Sequence, residues 1–190
     1  MVLEGTEREL VEGCRRGERD AFRALFETHK DRVYSVALRY SGDPATAMDI
    51  AQDTFVKLYS AIRDFRGHSR LDTFLYRLVV NRCLDRKRRE RRLLPLASEI
   101  AATLRFGGAS PSEELLRRER SSRVQEAIAR LSPDLRIVVV LRYTEGLAYD
   151  QIAEVLGCAP GTVASRLSRA HKILERKLAH LVTNGGGRYV

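Results

Sequence analysis

The segment AYDQIAEVLGCAPGTVASRLSRAHKILERK, residues 148–177, decides the fold of the second half of the chain. It predicts a short helix, a tight turn and a longer helix. Gly157 is typical of the left-handed residue that follows a helix C-terminus, and Pro160 is typical of the first position of the next helix. Apolar residues at steps of three and four predict one buried stripe along the longer helix. They are Val163, Leu167, Ala170, Leu174, Leu178 and Leu181.

The opposite face of this longer helix is polar and basic. A short helix, a turn containing glycine and a longer helix with such an outer face have the layout of a DNA-binding helix-turn-helix. A helical hairpin with a solvated charged face has the same pattern and is the alternative. The outer-face residues are Thr162, Ser165, Arg166, Ser168, Arg169 and Lys172.

Composition points the same way. The chain has 190 residues, 44% of them hydrophobic, and a formal net charge of +9. The size suits one or two small packed domains, and the charge favours a polyanionic partner. The acidic start MVLEGTEREL has no signal-peptide core, and no apolar run reaches the ~18–20 residues of a membrane span. We therefore expect a cytoplasmic protein without membrane insertion.

The first half of the chain has further helical patterns. Asp43 and Pro44 have the order of an N-cap and a first helical residue, followed by apolar residues at helical spacing. Asp49, Gln52 and Asp53 cluster on that helix, and Lys57 follows. Carboxylates early in a helix are favoured by its dipole, which explains part of the cluster. The spacing also makes a docking face for a basic partner.

The helix predicted from residue 71 changes character along its length. It begins with an apolar face and continues with seven basic residues opposed only by Asp85 and Glu90. Phosphate contact would offset the repulsion among these charges. Nearby aromatic residues suit single-stranded nucleic acid, with Phe65 favoured for a base contact and Phe74 for the core. The basic residues are Arg82, Arg86, Lys87, Arg88, Arg89, Arg91 and Arg92.

Prolines and glycines without periodicity predict a linker over residues 94–112. The sequence therefore predicts an all-α protein of two small helical domains, residues 1–93 and 113–183, with a disordered tail at 184–190. No P-loop, GxGxxG or HExxH motif occurs, and the three cysteines lack metal-site or disulfide spacing. We expect buried reduced thiols, no catalytic residues, no metal and no cofactor, and hence no enzyme.

Both halves resemble the extracytoplasmic-function (ECF) sigma factors of bacterial RNA polymerase, members of the sigma-70 family. The first half resembles the family's second region through DIAQDTFVKLYSAIRDF and FRGHSRLDTFLYRLVVNRCLDRKRR. The second half resembles the fourth region through LSPDLRIVVVLRYTEGLAYDQIAEVLGCAPGTVASRLSRAHKIL. The order and the linker between the two matches make the resemblance specific. It covers about residues 20–92 and 123–181.

The resemblance implies roles for the residues singled out above. Core polymerase would dock on Asp49, Gln52, Asp53 and Lys57. The loop with Phe65, Arg66 and His68, together with Asn81, would capture an unpaired base of the non-template strand in the −10 element, with phosphates held by Arg77, Arg82, Arg86 and Lys87. Ser165, Arg166, Ser168 and Arg169 would read the duplex −35 element, with phosphates on Thr162 and Lys172.

Two further points follow from the resemblance. Family members are often held by an anti-sigma factor, so we expect such a partner here. The chain departs from the family pattern at His68, Phe74, Ala159 and Ala164, which bears on promoter sequence. The alternative function is a stand-alone helix-turn-helix repressor or activator, which would bind a palindromic duplex without polymerase.

Overall fold

A computed structural model describes residues 5–93 and 122–183, and within these ranges every regular element is helical. The all-α prediction is confirmed. The predicted linker at 94–112 and tail at 184–190 lie outside the described residues, so the domain boundaries stay predictions. The helices are α1 (Gly5–Arg16), α2 (Arg19–Ser41), α3 (Pro44–Ala61), a 3-10 turn (Ile62–Asp64), α4 (Leu71–Leu93), α5 (122–129), α6 (Pro133–Tyr143), α7 (Tyr149–Leu156) and α8 (Pro160–Thr183).

The first domain is built around the pair α2 and α3, with α1 and α4 packed against it. The apolar stripes predicted for these helices meet in its core, where residues such as Leu25, Val36 and Leu58 are fully buried. Burying each such side chain contributes roughly 1.5–3 kcal/mol relative to exposure. This packing fixes α4, so its basic second half extends from a rigid base.

Local capping signals predicted some helix starts and missed others. Asp43 caps α3 through its Oδ2, which accepts from the Thr46 N–H at 2.7 Å. Hydrogen bonds with the Thr46 side chain and with this N–H lower the pKa of the Asp43 carboxyl. Asp20 is a residue type that can cap a helix, but α2 begins at Arg19 after Glu18, so Asp20 lies within the helix. Ser69 and Asp72 have the order of a cap for α4, but the Asp72 carboxylate pairs with Arg32 of α2 at 2.6 Å. A long-range ion pair thus engages a side chain that the local pattern places at a cap.

The helix-turn-helix forms as the sequence predicts. Gly157 has φ of 62° after α7, and Pro160 is the first residue of α8. α6 and α7 pack on α8, burying Val163, Leu167 and Ala170. The polar face of α8 therefore points away from this domain's core.

The cysteines are structural in character. Cys14 and Cys83 are buried, and Cys158 is half-buried, all as thiols without a disulfide. Burial raises the pKa of Cys83 to about 12, because a thiolate would lose its hydration there. The expectation of buried reduced thiols is confirmed for Cys14 and Cys83.

The two domains pack against each other. α4 contacts α6 and α7, and α2 contacts α6. No local pattern in the sequence predicts this arrangement. It places the helix-turn-helix domain beside the basic helix α4.

Candidate nucleic-acid interface

The outer face of α8 brings all six predicted residues onto one side of the helix. Ser165, Ser168, Arg169 and Lys172 are exposed, and Thr162 and Arg166 are half-exposed. The Nε of Arg169 donates to the Ser165 carbonyl at 3.2 Å, one turn back along the helix. This contact holds the guanidinium close to the helix surface with other N–H groups available to a ligand. Such a face has the size and chemistry to enter a DNA major groove.

The residues of α4 predicted to bind the −10 element are in several different settings. Asn81 is exposed and Arg82 half-exposed, while the Lys87 side chain lies outside the described part of the chain. Arg86 pairs through Nη1 with Asp49 Oδ2 of α3 at 3.1 Å. Arg77 binds α7 of the other domain. The structure therefore engages two of these cations within the protein.

The loop before α4 corrects one prediction. Phe65, expected to be available for a base contact, is 7% exposed and stacks on Phe74 with ring centroids 4.7 Å apart. This stack covers the core at the start of α4. Phe65 therefore packs against Phe74 and cannot reach a base in this conformation. The step of three from Ile62 to Phe65 continues the buried face through the 3-10 turn, and that spacing could have revealed it. Arg66 and His68 are exposed, as a ligand contact requires.

A groove of about 700 Å³ runs between α2 and α3. Helical spacing places Phe26 and Tyr59 on apolar faces and predicts their burial, but they are 36% and 48% exposed and line this groove. Met48 and Val56, 59% and 66% exposed, were missed. They flank Gln52 at steps of four, which is one stripe on α3, and this spacing was the available signal. Exposed apolar surface of this kind marks a protein-binding site.

The four residues predicted to dock a partner lie on the same helix as this groove. Asp49, Gln52, Asp53 and Lys57 are all exposed, and Gln52 lines the groove itself. Asp49 is tied to Arg86 of α4. The site therefore combines an apolar channel with polar and charged side chains along α3.

Comparison with known proteins fits this geometry. The Sigma-70 region 2 family matches residues 25–93, and the Sigma-70, region 4 family matches residues 121–174. The chain is 33% identical to the RNA polymerase sigma-H factor of Pseudomonas aeruginosa, over 96% of this chain and 98% of that protein. It belongs to the ECF sigma factors of RNA polymerase. The resemblance drawn from the sequence is confirmed, and membership favours a role in transcription initiation over a stand-alone repressor or activator.

Two other relatives extend the comparison. The ECF RNA polymerase sigma-E factor of Escherichia coli is 34% identical, over 93% of this chain and 96% of its own length. The solved structure of CnrH in complex with the cytosolic domain of CnrY matches with a TM-score of 0.66 and 26% identity, covering 93% of this chain and 99% of CnrH. The match supports the described fold.

Two further kinds of feature are absent from residues 5–93 and 122–183. None of the helices there has the length and apolarity needed to cross a membrane. No group of three His, Cys, Asp or Glu side chains in those ranges could hold a metal ion.

Proposed function

We propose that this sigma factor docks core RNA polymerase on the α2–α3 groove and directs it to promoters through α8 and α4. The observation that carries the proposal is the groove, because a protein whose work ended at duplex DNA would have no use for it. It lies on α2 and α3, whereas the candidate DNA-binding side chains lie on α4 and α8. One chain can therefore hold a protein and a promoter together.

The shape and chemistry of the groove fit a helical partner. A channel between two helices accepts the apolar side of a third helix, as in helix-in-groove recognition. Phe26, Met48 and Val56 supply apolar contact, at roughly 25 cal/mol per Å² of apolar surface removed from water. Lys30 and Asp31 line the groove, and Asp53 and Lys57 are exposed on α3, so the site offers both signs of charge to polar residues of the partner.

The face of α8 supports reading of the duplex −35 element. Arg166 and Arg169 can donate in pairs to guanine, the commonest specific contact in the major groove, with Ser165 and Ser168 beside them. Thr162 and Lys172 would hold phosphates, which set register without reading sequence.

The α4 face supports capture of the −10 element as a single strand. A base can enter a pocket only after it leaves the stack, so capture is coupled to opening of the duplex. Asn81 would contact the base, Arg66 and His68 of the exposed loop would border it, and Arg77 and Arg82 would hold phosphates. Phe65 is left out of this set because its ring is buried.

The remaining assignments rest on the family. RNA synthesis would be catalysed by the polymerase, and the sigma factor itself would need neither cofactor nor catalytic residues. We infer that it acts in the cytoplasm, where core polymerase works. CnrH, a 26% identical neighbour, was solved in complex with the cytosolic domain of CnrY. We also infer that this chain binds a protein partner, which the family resemblance suggests is an anti-sigma factor.

Run-off transcription tests the proposal. Purified core polymerase is incubated with and without the protein on DNA from upstream of its own gene. We expect a discrete transcript that depends on the protein and whose start locates both promoter elements. No transcript and no complex with core polymerase, together with tight binding to duplex alone, would instead favour the repressor or activator.

Base reading and phosphate contact on α8 give different results on mutation. If Arg169 reads a base, Arg169→Ala should cost about 1–3 kcal/mol of binding and relax specificity at one upstream position. Arg166→Ala should behave alike at a neighbouring position. Lys172→Ala is the matched control, because loss of a phosphate contact weakens all sequences equally. Transcription from a library of −35 variants measures this, and uniform loss in Arg169→Ala would reassign that residue to phosphate.

A further inference from the structure

Arg77, on α4 of the first domain, binds the C-terminal end of α7 in the second domain. Its Nε and Nη2 donate to the Glu154 carbonyl at 3.2 and 3.0 Å, and Nη2 lies 3.5 Å from the Glu154 carboxylate. Glu154 is in the last turn of α7, where carbonyls lack regular intrahelical partners and the helix dipole is negative. A guanidinium is well matched to that end of a helix.

Arg136 makes the reciprocal contact from the second domain to the first. It is 6% exposed, and its Nη1 donates to the Tyr40 carbonyl at 3.0 Å, in the last turn of α2. Its guanidinium also lies over the Tyr40 ring, 5.3 Å from the centroid. Each domain thus gives an arginine to the C-terminal end of a helix in the other.

A third contact joins the same surfaces. The Tyr76 hydroxyl, next to Arg77 on α4, donates to Glu145 Oε2 at 2.7 Å. Tyr76 is 7% exposed, and burial together with this bond raises the pKa of its hydroxyl, so the donor stays protonated. Glu145 lies in the connection between α6 and α7, so this hydrogen bond joins α4 of the first domain to the second domain.

We propose that these three contacts form an interdomain latch that holds the free sigma factor closed and keeps Arg77 from single-stranded DNA. The inference rests on the proposed role of α4 in binding the −10 element. In the latched state the Nε–Nη2 edge of Arg77, the edge suited to paired bonds with a phosphate, is occupied by a carbonyl. α7 also packs against α4, so a strand that approached Arg77 would meet the other domain.

The latch has the properties of a switch. When the domains separate, water replaces the polar contacts of the latch. Polar interdomain surfaces permit relative motion of the two domains. Arg136 keeps its bonds to the Leu131 and Ala129 carbonyls of its own domain, so opening leaves the guanidinium with partners. A phosphate is a stronger acceptor for Arg77 than a carbonyl, so DNA competes for it.

A charge-reversal variant tests the latch without touching α4. Glu145→Gln with Glu154→Lys replaces the charged acceptor of the Tyr76 hydroxyl by a weaker, neutral one and places a cation beside Arg77. The control, Glu126→Gln with Glu175→Lys, makes the same change of formal charge at exposed positions of α5 and α8. The full chain is measured in each case, by small-angle scattering for the radius of gyration and by fluorescence anisotropy with labelled dT12.

We expect the latch variant to be larger in solution than the wild type and to bind dT12 about 3- to 10-fold more tightly, because the fraction of binding-competent molecules rises. The control variant should match the wild type in size. An unchanged radius of gyration, or an expanded variant that binds dT12 no better than the control, would overturn the latch. Run-off transcription separates the two proposals. If the wild type gave no transcript and no complex with core polymerase, while the latch variant was expanded and bound dT12 more tightly, the promoter role would be refuted and the latch would stand.

Discussion

Replacing Arg136 with methionine should lower the free energy of unfolding by about 2–4 kcal/mol. Methionine keeps much of the apolar stem but donates no hydrogen bond. The Leu131 carbonyl, which accepts from Nη2 at 3.2 Å, and the Tyr40 carbonyl would each lose a donor. A buried acceptor left without its donor costs about 1–3 kcal/mol, and two are affected. Urea denaturation followed by circular dichroism at 222 nm measures the loss.

Arg130→Met is the matched control for Arg136→Met. Arg130 lies six residues away and is exposed, and its ion pair with Glu126 joins two solvated side chains. Exposed pairs of this kind contribute about 0.2–1 kcal/mol, so the control should lose little. Equal losses in both variants would mean that total charge, and not the buried carbonyl contacts, sets the effect.

The sequence predicted the parts of the fold that local chemistry decides. Asp43 and Pro44 start α3, and Gly157 and Pro160 define the turn of the helix-turn-helix, because each of these residues acts within its own turn of backbone. The apolar stripe of α8 was equally readable. Its outer face therefore lies where the spacing predicts, with all six candidate residues on one side.

The sequence could not predict features that depend on distant segments. Arg136 stands in the apolar run of α6 as an ordinary polar residue, and its burial depends on carbonyls from α2 and from the end of α5. Tyr76 and Glu145 are 69 positions apart, and no local period joins them. Helical spacing places Phe26 on an apolar face of α2, but the spacing does not show whether another helix covers that face.

A mutational test of the groove needs an apolar residue that does not support the fold of the free protein. The exposed fraction of its side chain identifies such a residue. Val56 is 66% exposed, so a charged replacement stays hydrated in the free protein. The same charge would be forced into an apolar contact only when a partner covers the groove.

Val56→Glu should therefore weaken binding to core RNA polymerase by about 10- to 100-fold, or about 1.4–2.8 kcal/mol, while leaving the unfolding transition unchanged. The carboxylate would be desolvated against the apolar side of the partner helix. Anisotropy of the labelled sigma factor titrated with core polymerase gives the affinity. Thr28→Glu, an exposed change on α2 outside the groove lining, adds the same charge and should bind as the wild type does. If Val56→Glu bound as tightly as Thr28→Glu, the polymerase would dock elsewhere on the first domain, and the groove would lose its proposed role although family membership would stand.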